Sequence, residues 1–189
     1  MKRLMSILFA ILVLGGTAMG QRLLPMQRGL EITGGVPLQK QGIFKDGNFT
    51  VGMDMVRYIR GYNYYHYGVS YSQQAYHYVG LNLPVRNYLA DGGFMFHLVS
   101  DPGKNILVYA GAYATLGYEE VNDGQKLLPD GARLNARNRF IYGGGAQLSL
   151  EGFITDHLLL FAKVRGHFLG GTDLDLFRPS TVLGIRIIM

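Results

Sequence analysis

Few side chains in this sequence could do chemistry, and most lack companions at a working spacing. There are five histidines and no cysteine, so disulfides, thiolate nucleophiles and cysteine-ligated metals are excluded. No His-x-x-x-His pair occurs, and His66 and His167 read as polar fillers of an interior, not as metal ligands. Asp173 and Asp175 lack the rest of a calcium loop and read as solvated loop residues. Gly143-Gly144-Gly145 has neither phosphate-loop spacing nor a lysine partner, so it predicts close packing. The enzymatic candidate is Ser70 or Ser72 near His66. Neither serine sits in a nucleophile elbow, and no orienting acid is identifiable. The expectation is a protein with no catalytic residue, no metal and no cofactor.

More informative are charged residues that share strand faces with small polar ones. Glu31, Asp54 and Glu151 fall opposite apolar faces, as do Arg86, Lys163, Arg165 and Arg186. Successive side chains of a strand point to opposite faces, so these residues are expected in one interior. There they would form an ion-paired network tying strands together. A basic excess lining an anion path or gate is the functional alternative.

The elements that must position them begin at Arg28–Val36, where Leu30, Ile32, Gly34 and Val36 oppose Glu31 and Thr33. Pro37 through Gly47 reads as a polar loop. In Asn48–Ile59, Phe49, Val51, Met53 and Met55 oppose Thr50, Gly52 and Asp54; a break at Val56-Arg57 predicts a bulge or strand end. Tyr58–Leu89 predicts a long hairpin turning at Gln73-Gln74. Before the turn Tyr65, Tyr67, Val69 and Tyr71 face away from Tyr64, His66, Gly68, Ser70 and Ser72. Beyond it Val79, Leu81, Leu83 and Val85 take the apolar face, and Tyr78, Gly80, Asn82 and Arg86 the polar one. Asp91-Gly92-Gly93 and Ser100-Asp101-Pro102-Gly103 are turn signals, so 90–105 reads as a folded-back extension or an extra short strand. Ile106–Glu119, Arg139–Leu150, His157–Leu169 and a final segment ending at Met189 complete eight alternating strands, with no helical pattern between them.

An even number of antiparallel strands can close a small barrel and return both ends to one side. Charged residues make up 16% of the chain, against about 25% in soluble proteins. Glycine and serine on the polar face suit a narrow interior, where they make room for larger neighbours. Tyrosines near strand ends suit a membrane interface. The predicted fold is an all-β, eight-stranded antiparallel up-and-down transmembrane β-barrel, in the outer membrane of a Gram-negative bacterium with periplasmic termini. Residues 1–20 read as a signal peptide: Lys2 and Arg3, then an apolar run over Leu4–Leu14, then Ala18 and Gly20. That run is shorter than the ~20 residues of a spanning helix, which favours cleavage over a retained anchor; the small Ala18 and Gly20 place the cut before Gln21 and leave 21–189 as one barrel domain. The formal charge of +5 is scattered and forms no patch, so outer-membrane lipid, and not nucleic acid, is the expected contact.

The blocks YHYVGLNLPVRNYL, SDPGKNILVYAGAYATLGYEE and RFIYGGGAQLSLEGFITDHLLLFAKVRGHFLGG resemble the TraO family of conjugative-transposon transfer proteins over nearly the whole chain. The resemblance implies a non-enzymatic component of a conjugal DNA transfer apparatus, of the type IV secretion or mating-pair kind. It also implies other conjugal transfer proteins as partners, and it supplies no catalytic residues. The competing readings are a stand-alone outer-membrane barrel acting as a narrow pore or lipid-modifying enzyme, and a soluble periplasmic ligand-binding barrel.

Overall fold

A computed structural model of the chain describes residues 23–38, 47–78, 81–121, 138–172 and 174–189, with the side chains of 76–78 and 81–83 set aside. The expected processing site at Gly20 and Gln21 lies outside the described residues. Eight strands follow in order: β1 Arg28–Pro37, β2 Phe49–Tyr58, β3 Tyr64–Tyr78, β4 Leu81–Ser100, β5 Ile106–Val121, β6 Arg139–Phe153, β7 Leu158–Gly170 and β8 Phe177–Ile188. Each pairs antiparallel with the next, and β8 pairs with β1, so the sheet closes into a barrel with no free edge. A 3-10 turn at Arg60–Tyr62 joins β2 to β3. No helix among the described residues is long and apolar enough to cross a membrane.

At the near end of the barrel, Met189 N–H donates to the Arg28 carbonyl at 2.8 Å, which brings the C-terminus beside the start of β1. The lead-in before β1 closes this end. Leu23 packs with Val56, Tyr58, Tyr64, Met95, Leu107, Tyr109 and Ile188 as an apolar floor. Toward the far end, Leu89, Ile141 and Leu169 form a smaller apolar layer.

Alternation sorts the two faces along every strand. Ile32, Val51, Met53, Val69, Leu116, Leu148, Leu160, Val164, Leu183 and Ile185 are exposed on the outer wall. Aromatic rows bound this apolar belt. At the far end Tyr71 packs against Phe49 at 5.6 Å and Tyr88 at 5.2 Å, and Phe168 against Phe177 at 4.7 Å. Toward the near end Phe94 meets Tyr65 at 5.0 Å and Phe96 at 4.5 Å.

Three local expectations need correction. Gln73-Gln74 is not a turn: Gln73 pairs with Arg86 and Gln74 with Val85 inside the β3–β4 ladder, and β3 runs on to Tyr78. Two glutamines supply none of the positive-φ freedom that tight hairpin turns require. Asp91-Gly92-Gly93 is not a turn either but the middle of β4, with Asp91 turned inward. A Cβ on Gly93 would stand 2.5 Å from Tyr113 Cβ, so this glycine makes room for the tyrosine across the ladder. Residues 90–100 therefore continue one long strand. Of the two readings at Val56-Arg57, the strand end holds and the bulge does not: both residues pair in register with Gly29 and Arg28, and β2 ends at Tyr58. The irregularity lies in β4 between His97 and Val99, where the Asn63 side-chain oxygen accepts the His97 N–H at 2.8 Å. The Ser100–Gly103 turn signal does mark the end of β4 and the connection to β5.

Candidate functional site

Alternation delivers the charged side chains to the lumen, and register decides which of them meet. Glu31 is the Cα partner of Asp54 in β2 on one side and of Arg186 in β8 across the closing seam. Arg186 is fully buried. Its Nε donates to Glu31 Oε1 at 2.7 Å, its Nη1 to Glu151 Oε2 at 2.6 Å, and its Nη2 to Glu151 Oε1 at 2.9 Å. The same guanidinium donates further to Glu31 and to the Tyr58 hydroxyl, and to the Tyr64 hydroxyl at 3.0 Å. Tyr64 in turn donates to Glu151 Oε1 at 2.6 Å, and Ser149 Oγ donates to the same oxygen at 3.1 Å. Lys163 Nζ donates to Glu31 Oε2 at 2.5 Å, with its charge 4.4 Å from the centre of the Phe161 ring.

A buried ion is tolerated only when opposite charge and hydrogen bonds replace its lost water. Arg186 meets that condition with two carboxylates and two phenols. Its guanidinium carbon also lies 4.5 Å from the Tyr64 ring centre, a cation–π contact.

One layer farther along, the geometry is looser. Arg165 lies 3.4 Å from Asp54 and 3.8 Å from Asp91, and His167 Nε2 lies 3.7 Å from Asp91. Thr115 Oγ1 donates to Asp91 at 2.7 Å. At the far mouth Arg178 pairs with Glu119 at 2.6 Å and donates to Asn87 at 3.1 Å. Between these layers a cavity of about 40 Å³ is lined in part by Thr33, Ser70, Ser72, Asn87, Arg165 and His167. It has room for water but not for a passage.

Of the charges expected inside, Glu31, Asp54, Glu151, Lys163, Arg165 and Arg186 are buried together. Arg86 is not among them. It lies on the outer face of β4, half-exposed, with Gln73 and Glu120 as its ladder partners, while Val85 beside it is buried and pairs with Val121. At this end of β4 the outward row is Gln73, Arg86 and Glu120, while Val85 and Val121 are buried, so apolar side chains here turn inward. Arg178, Asp91 and Glu119 complete the interior set. Counting back in steps of two from Arg186 reaches Arg178, and counting forward from Asn87 reaches Asp91, which the turn composition of Asp91-Gly92-Gly93 obscures.

His66 points into the lumen, where its Nε2 lies 3.0 Å from Gln147 Nε2. Ser72 accepts from the Asn87 amide at 3.5 Å. Among the described residues no cluster of histidine and carboxylate side chains could hold a metal ion. A Cβ on Gly145 would sit 2.5 Å from the Tyr113 hydroxyl, which itself donates to the Gly166 carbonyl at 3.2 Å. Gly145 is the glycine of the run that seats that tyrosine.

The fold is that of known small outer-membrane barrels. The attachment invasion locus protein Ail of Yersinia pestis superposes with a TM-score of 0.55 at 12% identity, over 88% of this chain and 100% of that one. Neisserial surface protein A gives 0.53 at 15% identity, over 86% and 96%. Outer membrane protein H of P. aeruginosa gives 0.50 at 17% identity, over 86% and 99%. No curated protein matches the chain in sequence. The family model for the conjugative transposon protein TraO, in contrast, matches residues 24–189, which takes in every strand of the barrel and all of the charged lumen residues described above. The chain belongs to the TraO family of conjugative transposon proteins.

Proposed function

We propose that this protein is a non-enzymatic barrel of the outer membrane, with both ends in the periplasm, that serves conjugal DNA transfer by contacting other transfer proteins of a type IV secretion or mating-pair apparatus. The observation that carries the reading is the family match over residues 24–189. The outer wall supports the membrane part: its exposed apolar belt lies between two aromatic rows, an arrangement suited to hydrocarbon between two interfaces. The lumen supports a scaffold over a pore, because Arg186, Lys163, Arg165 and Arg178 cross it on carboxylates. The same pairing leaves these cations committed, which speaks against nucleic-acid contact through the lumen.

The test is a clean deletion in a donor strain. Loss or sharp reduction of transfer, with growth unchanged and transfer restored by the intact gene, is the expected result. Undiminished transfer would overturn the reading. A tagged barrel pulled from detergent-solubilised envelopes should bring other transfer proteins with it, as a stand-alone barrel would not.

A further inference from the structure

The near rim carries a cationic feature that the lumen network does not use. Arg28 of β1 and Arg57 of β2 are Cα partners in the ladder. Both are exposed on the outer face, one rung beyond Leu30 and Met55, and exposed Arg60 follows in the 3-10 turn. Like charges directly opposite one another across a ladder repel. Among the described residues no carboxylate pairs with Arg28, Arg57 or Arg60, and the Arg57 side chain donates only to the Met26 sulfur, at 3.3 Å.

The surroundings identify what the pair faces. Arg57 also pairs with Tyr65 of the near aromatic row, and the outer face above the two arginines is Leu30, Ile32, Met53 and Met55. An apolar wall thus gives way to a rung that carries an aromatic ring beside the guanidinium groups, the succession of acyl chain and interface in a lipid leaflet. Guanidinium forks match phosphate oxygens bidentately, so one phosphate between two arginines turns a repulsive pair into a clasp.

We propose that Arg28 and Arg57, with Arg60 beside them, form a binding site for the phosphate of a membrane lipid whose acyl chains lie along Leu30, Ile32, Met53 and Met55. The proposal rests on the membrane reading above but fails separately from it. If the intact protein is recovered without detergent in a soluble fraction, the membrane reading itself is wrong.

The test uses the full barrel in detergent, its folding checked by gel mobility, and native mass spectrometry with added lipid. Phosphatidylglycerol should be retained about tenfold more than diacylglycerol of the same chains. Arg28→Gln and Arg57→Gln should each weaken retention several-fold and together about tenfold, while Arg28→Lys with Arg57→Lys keeps part of it, a lysine being a phosphate ligand without the fork. Equal retention by the double glutamine variant would overturn the site. Equal competition by free glycerol phosphate would assign it to a soluble anion and overturn the lipid. Loss of a co-purified acidic protein with lipid retention unchanged would do the same.

Discussion

Arg186 and Arg165 both cross the lumen, yet their surroundings differ enough to separate their contributions. Arg186 has hydrogen bonds to Glu31, Glu151, Tyr58 and Tyr64, whereas Arg165 reaches Asp54 and Asp91 only at 3.4 and 3.8 Å. Removing one partner of a buried pair leaves the other charge without water or counter-ion, at a cost of about 3–5 kcal/mol. Arg186→Ala is expected to lower the unfolding free energy in urea by that amount. Arg165→Ala should cost less, about 1–3 kcal/mol, because its hydrogen bonding is weaker. Arg86→Ala, on the outer face at the far mouth, should change stability by no more than about 1 kcal/mol. A ranking with Arg86 above Arg186 would contradict the lumen assignment.

Glycines at the level of the strands divide in the same way by which face they occupy. Gly145 looks inward at the Tyr113 hydroxyl, while a Cβ on Gly92 would meet nothing within 4 Å. Gly145→Val should therefore displace Tyr113 and cost about 1–3 kcal/mol by overpacking, whereas Gly92→Val should be within about 0.5 kcal/mol of wild type. Urea unfolding of the two variants side by side decides it. The β4–β5 turn offers a pH test outside the belt. Burial is the largest single effect and raises the Asp101 carboxyl, but the Ile106, Asn105 and Gly103 backbone amides together outweigh it and hold its pKa below the usual carboxylate range. A lowered folded pKa contributes stability that is present above the unfolded pKa and lost as pH falls through the folded one. Hydrogen exchange at the Ile106 amide, which donates to Asp101 at 2.7 Å, should thus gain protection from Asp101 at neutral pH and lose that contribution below the carboxylate range. Asp101→Ala should remove it at every pH, by about fivefold at neutral pH. Equal protection in both proteins at neutral pH would show that the carboxylate does not hold the turn.

For the molecule as a whole, closure matters more than any single contact. Every strand has two neighbours, so detergent finds no free edge from which to open the sheet. The barrel is expected to run faster on gels before boiling than after, and Arg186→Ala should lower the temperature at which the two forms interchange. Identical mobility with and without boiling would argue against a closed barrel in detergent. The floor built on Leu23 and the ion-paired lumen make the structure a plugged cylinder, so reconstituted bilayers should show no steady conductance. A sustained open state would instead favour the narrow-pore reading.

Strand number and strand faces follow from the sequence alone because alternation is local: each residue's face depends only on its parity with its neighbours. Leu183, Ile185 and Ile187 announce an outward row, and Arg186 must then point inward. The errors arose where a local signal competes with the closed sheet. Asp91-Gly92-Gly93 has turn composition, but the ladders to β3 and β5 continue through it and keep it extended. Arg86 follows the apolar Val85, yet it lies outward beside Glu120, because Val85 packs inward with Val121. Only the tertiary structure could decide which charges pair. Glu31 and Arg186 stand 155 residues apart in the chain and meet because β1 closes on β8 in one register. A slip of one residue along that seam would turn one of them outward, and no local pattern in either strand encodes the partner across it.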